Sequence, residues 1–196
     1  MVTLRLATED DAEGILAIYA PYIENTSYTF ETETPAVEVF AERIRSYLQL
    51  WPWLVCEIGG QIAGYAYASR YRERVGYQWC AEASVYIHND FQRSHIAKSL
   101  YTALFAILEK QGFRNVYAVI NLPNDKSVAF HEHCGFTWFT TYENVGYKLG
   151  RWKNVGWWKL SLNDYGDEPP PPLKFPELKK GFIVNLLQVK AGEINL

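Results

Sequence analysis

Two residues of this 196-residue chain are placed as if to move protons. Glu82 interrupts a strand-like apolar pattern over residues 79–87, and His131 falls in a short polar segment that stops at Gly135. A carboxylate inside a strand is either an edge-strand acid facing water or a base held in a site. A histidine titrates near neutral pH, but a lone helical histidine is commonly structural. Residues 84–136 between them run SVYIHNDFQRSHIAKSLYTALFAILEKQGFRNVYAVINLPNDKSVAFHEHCGF. That stretch reads as an apolar strand, a polar loop, a long amphipathic helix, a second strand stopping at Asn121, and a short helix carrying His131. Such a unit can aim backbone N–H groups of the loop and helix N-terminus at a phosphate-bearing ligand, with Glu82 and His131 beside the same cleft. The run His131-Glu132-His133-Cys134 invites a metal reading. However, histidines two apart on a helix point to different faces, unlike an i, i+4 pair, and no metal is expected. Cys80 and Cys134 read as small buried hydrophobes.

The elements that must position these groups follow from periodicity. Val2, Leu4 and Leu6 alternate as a first strand. Thr8 and the acids after it suit a helix start, and Ile15, Ile18 and Tyr19 continue at helical spacing up to Pro21. Residues 22–33 lack a period and read mostly as loop, with Tyr28 and Phe30 unusually apolar for one. Thr34-Pro35 predicts a second helix start with proline at the first helical position. A hairpin over 53–69 turns at Gly59-Gly60, and a charged, aromatic loop covers 70–77. The long helix spans 94–111 and closes at Gly112, then a strand covers 115–120 and a helix opens at Asn124-Asp125. Strands at 136–142 and 152–162 complete the chain's sheet. The order predicts an α/β fold, a central mixed twisted sheet of about seven strands flanked by about four helices. A parallel pair in its middle is expected where a helix joins 79–87 to 115–120.

Past residue 165 the composition changes. Pro169 to Pro172 form a polyproline spacer, and residues 182–189 are an apolar patch that packs on the body or on a second subunit. The organisation read here is a domain over 1–165 and a proline-rich linker and tail over 166–196. With 48% hydrophobic residues and a net charge of −3 the chain is globular. A pI of 5.8 with scattered basic residues argues against a nucleic-acid partner. No apolar run is long enough for a membrane span and no signal segment is evident, so a membrane role is not expected. Three cysteines without CxxC spacing favour reduced thiols and a cytoplasmic location.

From Thr3 to about Leu162 the chain resembles the GNAT acetyltransferase superfamily, and within it the phosphinothricin N-acetyltransferase branch. The resemblance rests on PWLVCEIGGQIAGYAYA, AEASVYI, LYTALFAILEKQGF, AVINLPNDKSVAFHEHCGF and VGYKLGRWKNVGWW, in that order. It implies direct acetyl transfer from acetyl-CoA to a small amine such as phosphinothricin, methionine sulfoximine or methionine sulfone. By the same resemblance, Val85, Tyr86 and Ile87 lie along the pantetheine arm. Arg93, Ser94, His95, Ile96, Ala97 and Lys98 form the pyrophosphate loop and its exit, and Asn124 binds the arm. Glu82 and His131 match the branch's acid–base pair. Phe30, Arg72, Arg74 and Tyr77 fall in loops that shape the acceptor pocket, where arginines suit a carboxylate or phosphinate. A homodimer is implied, with the 145–158 segment and the tail as candidate interface. These roles fit the chemistry: the amine must lose a proton to attack, a carboxylate can accept it, and histidine can protonate the leaving thiolate or share the base role. His95 departs from the pattern, which has glycine there so that backbone can approach the phosphates. That departure opens an alternative, a CoA-binding module with impaired catalysis. A further alternative is an acetyltransferase for another amine.

Overall fold

The computed structural model describes residues 1–92 and 94–194. Arg93, expected in the phosphate loop, lies outside the described residues. Strands β1 (Val2–Leu6), β2 (Trp53–Ile58), β3 (Gln61–Arg70), β4 (Cys80–Ile87), β5 (Asn115–Leu122), β6 (Thr137–Lys148) and β7 (Arg151–Ser161) form one open sheet in the order β1-β2-β3-β4-β5-β7-β6. Every neighbouring pair is antiparallel except β4 and β5, the parallel pair expected from the helix between them. β7 inserts between β5 and β6, an order that the sequence did not suggest.

Because strand side chains alternate, the sheet has two different faces. Ala66, Ala68, Ala81, Ala83, Val116, Ala118 and Ile120 point to one face, where they pack against α3 (Ile96–Gln111). Trp53, Val55 and Tyr65 point to the other, beneath α1 (Ala12–Asn25) and α2 (Val37–Tyr47). A short helix, α4 (Asp125–His133), follows β5, and a fifth, α5 (Lys180–Gly192), lies in the tail. Small alanines on the α3 face let that helix approach closely, while aromatics fill the α1/α2 face.

Several boundaries differ from the sequence expectations. α1 continues through Pro21 to Asn25, so the start of the expected loop is helical. A proline inside a helix removes one N–H, but Ile23 is fully buried and the Tyr22 hydroxyl donates to Ile87 O at 3.1 Å, which holds the turn in place. α2 begins at Val37 rather than at Pro35, with Ala36 as its cap. Thr34 instead donates its hydroxyl to Glu24 Oε1. β6 extends to Lys148, well past residue 142, because after a register shift its pairing with β7 resumes at Gly146 and runs to Lys148.

The tail lies on the body. Trp79 Nε1 donates to Pro170 O (2.8 Å), and Gln111 Nε2 donates to both Leu50 O (2.9 Å) and Leu173 O (2.8 Å). Proline has no N–H, so the proline run is held through the Pro170 carbonyl, while Leu173 after it both accepts from the Gln111 side chain and donates its N–H to Gln111 O (2.8 Å). Beyond it, α5 packs against α3 and β1, with Ile183 and Leu187 buried in the core and Val184 and Val189 left outside. The residues 182–189 patch is therefore one side of an amphipathic helix docked on its own chain.

Candidate active site

The parallel pairing of β4 with β5 lasts for only three pairs, Cys80–Asn115, Ala81–Val116 and Glu82–Tyr117. β4 stays paired to β3 out to Ile87, and β5 stays paired to β7 out to Leu122. The two strands therefore part after Glu82 and open the sheet. A cleft of about 500 Å³ fills the gap, lined by Ala83 to Ile87 on one side and Val119 to Asn121 on the other. The facing edge of β4 keeps backbone N–H and C=O groups without a strand partner, which is a template for an extended amide-bearing chain. Since the sheet is split, the cleft takes residues from both faces. Tyr22, Tyr28, Ser84 and Tyr86 come from the α1 side, and Ala97, Tyr101, Phe130 and His131 come from the α3/α4 side.

Glu82 occupies the last rung before the split, where its side chain shares a face with Tyr117 and Tyr86. Burial pushes its carboxyl up to about 7, and the opposing pull of the Arg72 charge is smaller. Around it Tyr71 stacks on Tyr117 (4.4 Å between centroids), Trp157 meets Tyr71 edge-on, and the Arg72 guanidinium lies 5.2 Å over the Tyr71 ring. This half-covered aromatic basin suits an amine nucleophile: the carboxyl is poised to exchange a proton near neutral pH.

His131 is held differently. It is 6% exposed, and both ring nitrogens are engaged. Nδ1 lies 2.8 Å from Ser127 O; a carbonyl can only accept, so Nδ1 carries the proton. Nε2 is then a lone pair and accepts the Tyr101 hydroxyl at 3.0 Å. Burial lowers the imidazole's pKa, against a smaller opposing effect of the Ser127 carbonyl, and raises the Tyr101 phenol well above its ordinary value. A neutral imidazole backed by a protonated tyrosine can take up a proton at Nε2 and return it through Tyr101. Tyr101 was not among the sequence candidates. Beside Ile96, Leu100 and Leu104 it reads as one more core aromatic, and only its hydroxyl's partner sets it apart.

Of the expected cofactor residues, Val85, Tyr86, Ile87, Ala97 and Asn124 line the cleft. Asn124 also caps α4, accepting the Ser127 N–H at 3.3 Å. Ser94, His95, Ile96 and Lys98 line an adjoining cavity of about 430 Å³ that shares Ile87, Ala97 and Phe130 with the cleft. The expected acceptor residues divide. Arg72, Arg74 and Tyr77 surround a separate cavity of about 330 Å³ under Pro171 and Pro172, though Arg72 also reaches the Glu82 basin electrostatically. Phe30 instead packs its ring over Gly146 of β6, where any side chain would collide with it. The loop carrying Tyr28 and Phe30 is tied down across the sheet, by Asn121 Nδ2 to Ser27 O and by Lys148 Nζ to Thr29 O (2.8 Å). Tyr28, rather than Phe30, faces the cleft.

Comparison with known proteins gives a consistent answer. The acetyltransferase (GNAT) domain family matches residues 4–157. A phosphinothricin N-acetyltransferase of Streptomyces viridochromogenes is 39% identical over 171 residues, covering 87% of this chain and 91% of the relative. An L-methionine sulfoximine/L-methionine sulfone acetyltransferase of Salmonella typhimurium is 28% identical, covering 84% and 96%. The crystal structure of a GNAT phosphinothricin acetyltransferase from Sinorhizobium meliloti in complex with AcCoA superposes with a TM-score of 0.81 at 30% identity, covering 86% of this chain and 93% of that one. The family match over most of the chain, the curated relative and the superposition agree: this chain belongs to the GNAT acetyltransferase family.

Proposed function

We propose that this protein moves an acetyl group from acetyl-CoA to the amine of a small amino-acid-like acceptor of the phosphinothricin or methionine sulfoximine/sulfone kind. The observation that carries this reading is the parting of β4 and β5 immediately after Glu82, whose titratable carboxyl belongs to the last paired rung; the lining of the cleft begins one residue later, at Ala83. The curated relatives named for these acceptors support the substrate class.

Bound acetyl-CoA supplies the thioester carbonyl and the leaving sulfur. The free edge of β4 at Val85, Tyr86 and Ile87 and the Asn124 side chain hold its amide arm, and a β4 N–H polarises the carbonyl. Glu82 accepts the acceptor ammonium's proton, directly or through a water; with its carboxyl near 7 it is substantially ionised at neutral pH. The second proton, which leaves the attacking nitrogen as the new amide forms, passes at the Tyr101 hydroxyl to His131 Nε2 and returns by the same atom to the sulfur. The Ser127 carbonyl at 2.8 Å steadies the imidazole while it is charged. Tyr28 and Arg72 bound the acceptor from opposite sides, with Arg72 offering a cation to a carboxylate or phosphinate.

Residues 1–165 are read as the catalytic domain and 166–196 as a segment that closes one side of it. The chain acts as a homodimer through the β6–β7 hairpin, which exposes Trp138 (57%), Tyr147 (59%) and Trp152 (62%). Light scattering should give twice the chain mass, and Trp152→Glu should return the monomer; an unchanged mass for the variant would remove the hairpin from the interface. The three unpaired cysteines fit a reducing, cytoplasmic location.

The test is calorimetric titration with acetyl-CoA followed by thiol release in the presence of methionine sulfone. Binding with turnover is expected. Binding without turnover on any small amine would favour the CoA-binding module instead, and no binding at all would overturn the reading.

A further inference from the structure

The 430 Å³ cavity beside the cleft has a composition that the chain as a whole does not share. The protein carries 22 acidic and 19 basic residues, yet among the described residues the cavity lining includes no acid. Among those residues are His95 at the N-cap of α3, Lys98 in the first turn of α3, and His133 in the last turn of α4, groups able to carry positive charge from different places in the fold. Both imidazoles are exposed, and among the described residues neither side chain has a hydrogen-bond partner. His95 has φ 59° and ψ 0°, the left-handed region that costs a histidine free energy and glycine almost none. A strained residue kept beside a ligand cavity calls for a compensating role. The first N–H groups of the sixteen-residue α3 also open here, adding partial positive charge.

We infer that His95 and His133 together form a side-chain clamp for the phosphate groups at the far end of the co-substrate, doing with two imidazoles what a glycine loop does by close backbone approach. The inference rests on the acetyl-CoA reading above. His95 retains the backbone turn that a glycine would make, so α3 keeps its orientation toward the ligand, while the ring adds an N–H donor over the cavity. His133 supplies a second donor from the opposite wall, and Lys98 contributes charge between them. Imidazole donors to phosphate form charge-assisted bonds, so this end of the site is more salt-sensitive than backbone N–H contacts alone. The pairing also explains a residue that the catalytic machinery leaves unused: His133 points away from His131's buried network and into the phosphate cavity.

The test measures affinity for CoA and for dephospho-CoA by calorimetry, at low and at high salt, with wild type, His95→Gly, His95→Asn, His133→Gln and the His95→Gly/His133→Gln double variant. Asparagine tolerates the left-handed turn, so His95→Asn removes the ring without freeing the backbone. Each single variant should bind CoA about three- to tenfold more weakly and the double variant about thirtyfold, with the differences shrinking at high salt. Loss of the wild-type preference for CoA over dephospho-CoA in the double variant assigns the clamp to the 3′-phosphate. Equal weakening for both ligands assigns it to the diphosphate. Unchanged or tighter binding by His95→Gly and His133→Gln overturns the clamp while leaving the transferase reading intact. Failure of the wild type to bind either ligand removes both. Melting temperatures of the variants at or above that of wild type exclude a loss of binding through unfolding, and His133→Gln on the exposed end of α4 provides the arm least able to disturb the fold.

Discussion

Glu82 and His131 are both driven toward neutrality by burial, but the surroundings turn that common push to opposite uses. Glu82 sits at the mouth of a half-covered aromatic basin with no hydrogen-bond partner found for its carboxylate among the described residues, so desolvation holds its carboxyl near 7 and leaves it free to exchange a proton. His131 is sealed between Tyr101 and the Ser127 carbonyl, so its protonation state is fixed by two hydrogen bonds and changes only through them. One site is adjustable because it is incompletely satisfied; the other is specific because it is fully satisfied.

The strongest way to break this contrast is Glu82→Gln, which keeps the shape and removes the base. It should lower kcat/KM by about 10² to 10⁴, and the rise of activity through about pH 7 should vanish with it. A variant that keeps that pH limb would move the base elsewhere. The same substitution should make the fold more stable at pH 8. A carboxyl raised from 4.5 to about 7 binds its proton more tightly in the folded state, so between these values the folded form holds more protons and stability falls as pH rises. Removing the charge should return about 1–2 kcal/mol, a melting-temperature gain of a few degrees by calorimetry.

Next in size is Tyr101→Phe, which cuts the path to Nε2 while leaving the ring packing in place. Activity should fall about ten- to a hundredfold with acetyl-CoA affinity nearly unchanged, and the loss should match that of His131→Asn if the two act as one path. Additive losses would separate them. The smallest effect is expected for Ser127→Ala, within about twofold. The short 2.8 Å bond from His131 Nδ1 goes to the Ser127 backbone carbonyl, and the hydroxyl at 3.3 Å is the weaker neighbour. A large loss in that variant would show that the hydroxyl sets the tautomer.

A sequence reading reaches elements with strong periodicity and residues flanked by ordered blocks. β1, the β2–β3 hairpin, α3 and the α4 cap at Asn124 all follow from alternation, turn glycines and capping chemistry, and the blocks around Glu82 and Asn124 identified the family. Where it went astray, long-range packing outweighed local preference. Pro21 signals a helix end, yet Ile23 in the core and Tyr22 on Ile87 O carry α1 one turn further. Residues 182–189 have no periodic partner in sequence, because the surface that buries Ile183 and Leu187 comes from α3 and β1.

What the chain's order of residues determined alone is the set of parts: which segments are strands, roughly where the first four helices lie, which titratable groups sit beside them, and which family shares those blocks. These depend on contacts within a few residues. The tertiary structure decided how the parts act. The length of the β4–β5 ladder, the raised carboxyl of Glu82 and the recruitment of Tyr101 to His131, thirty residues away, each depend on groups brought together by the fold. Desolvation and hydrogen-bond direction exist only once those groups meet.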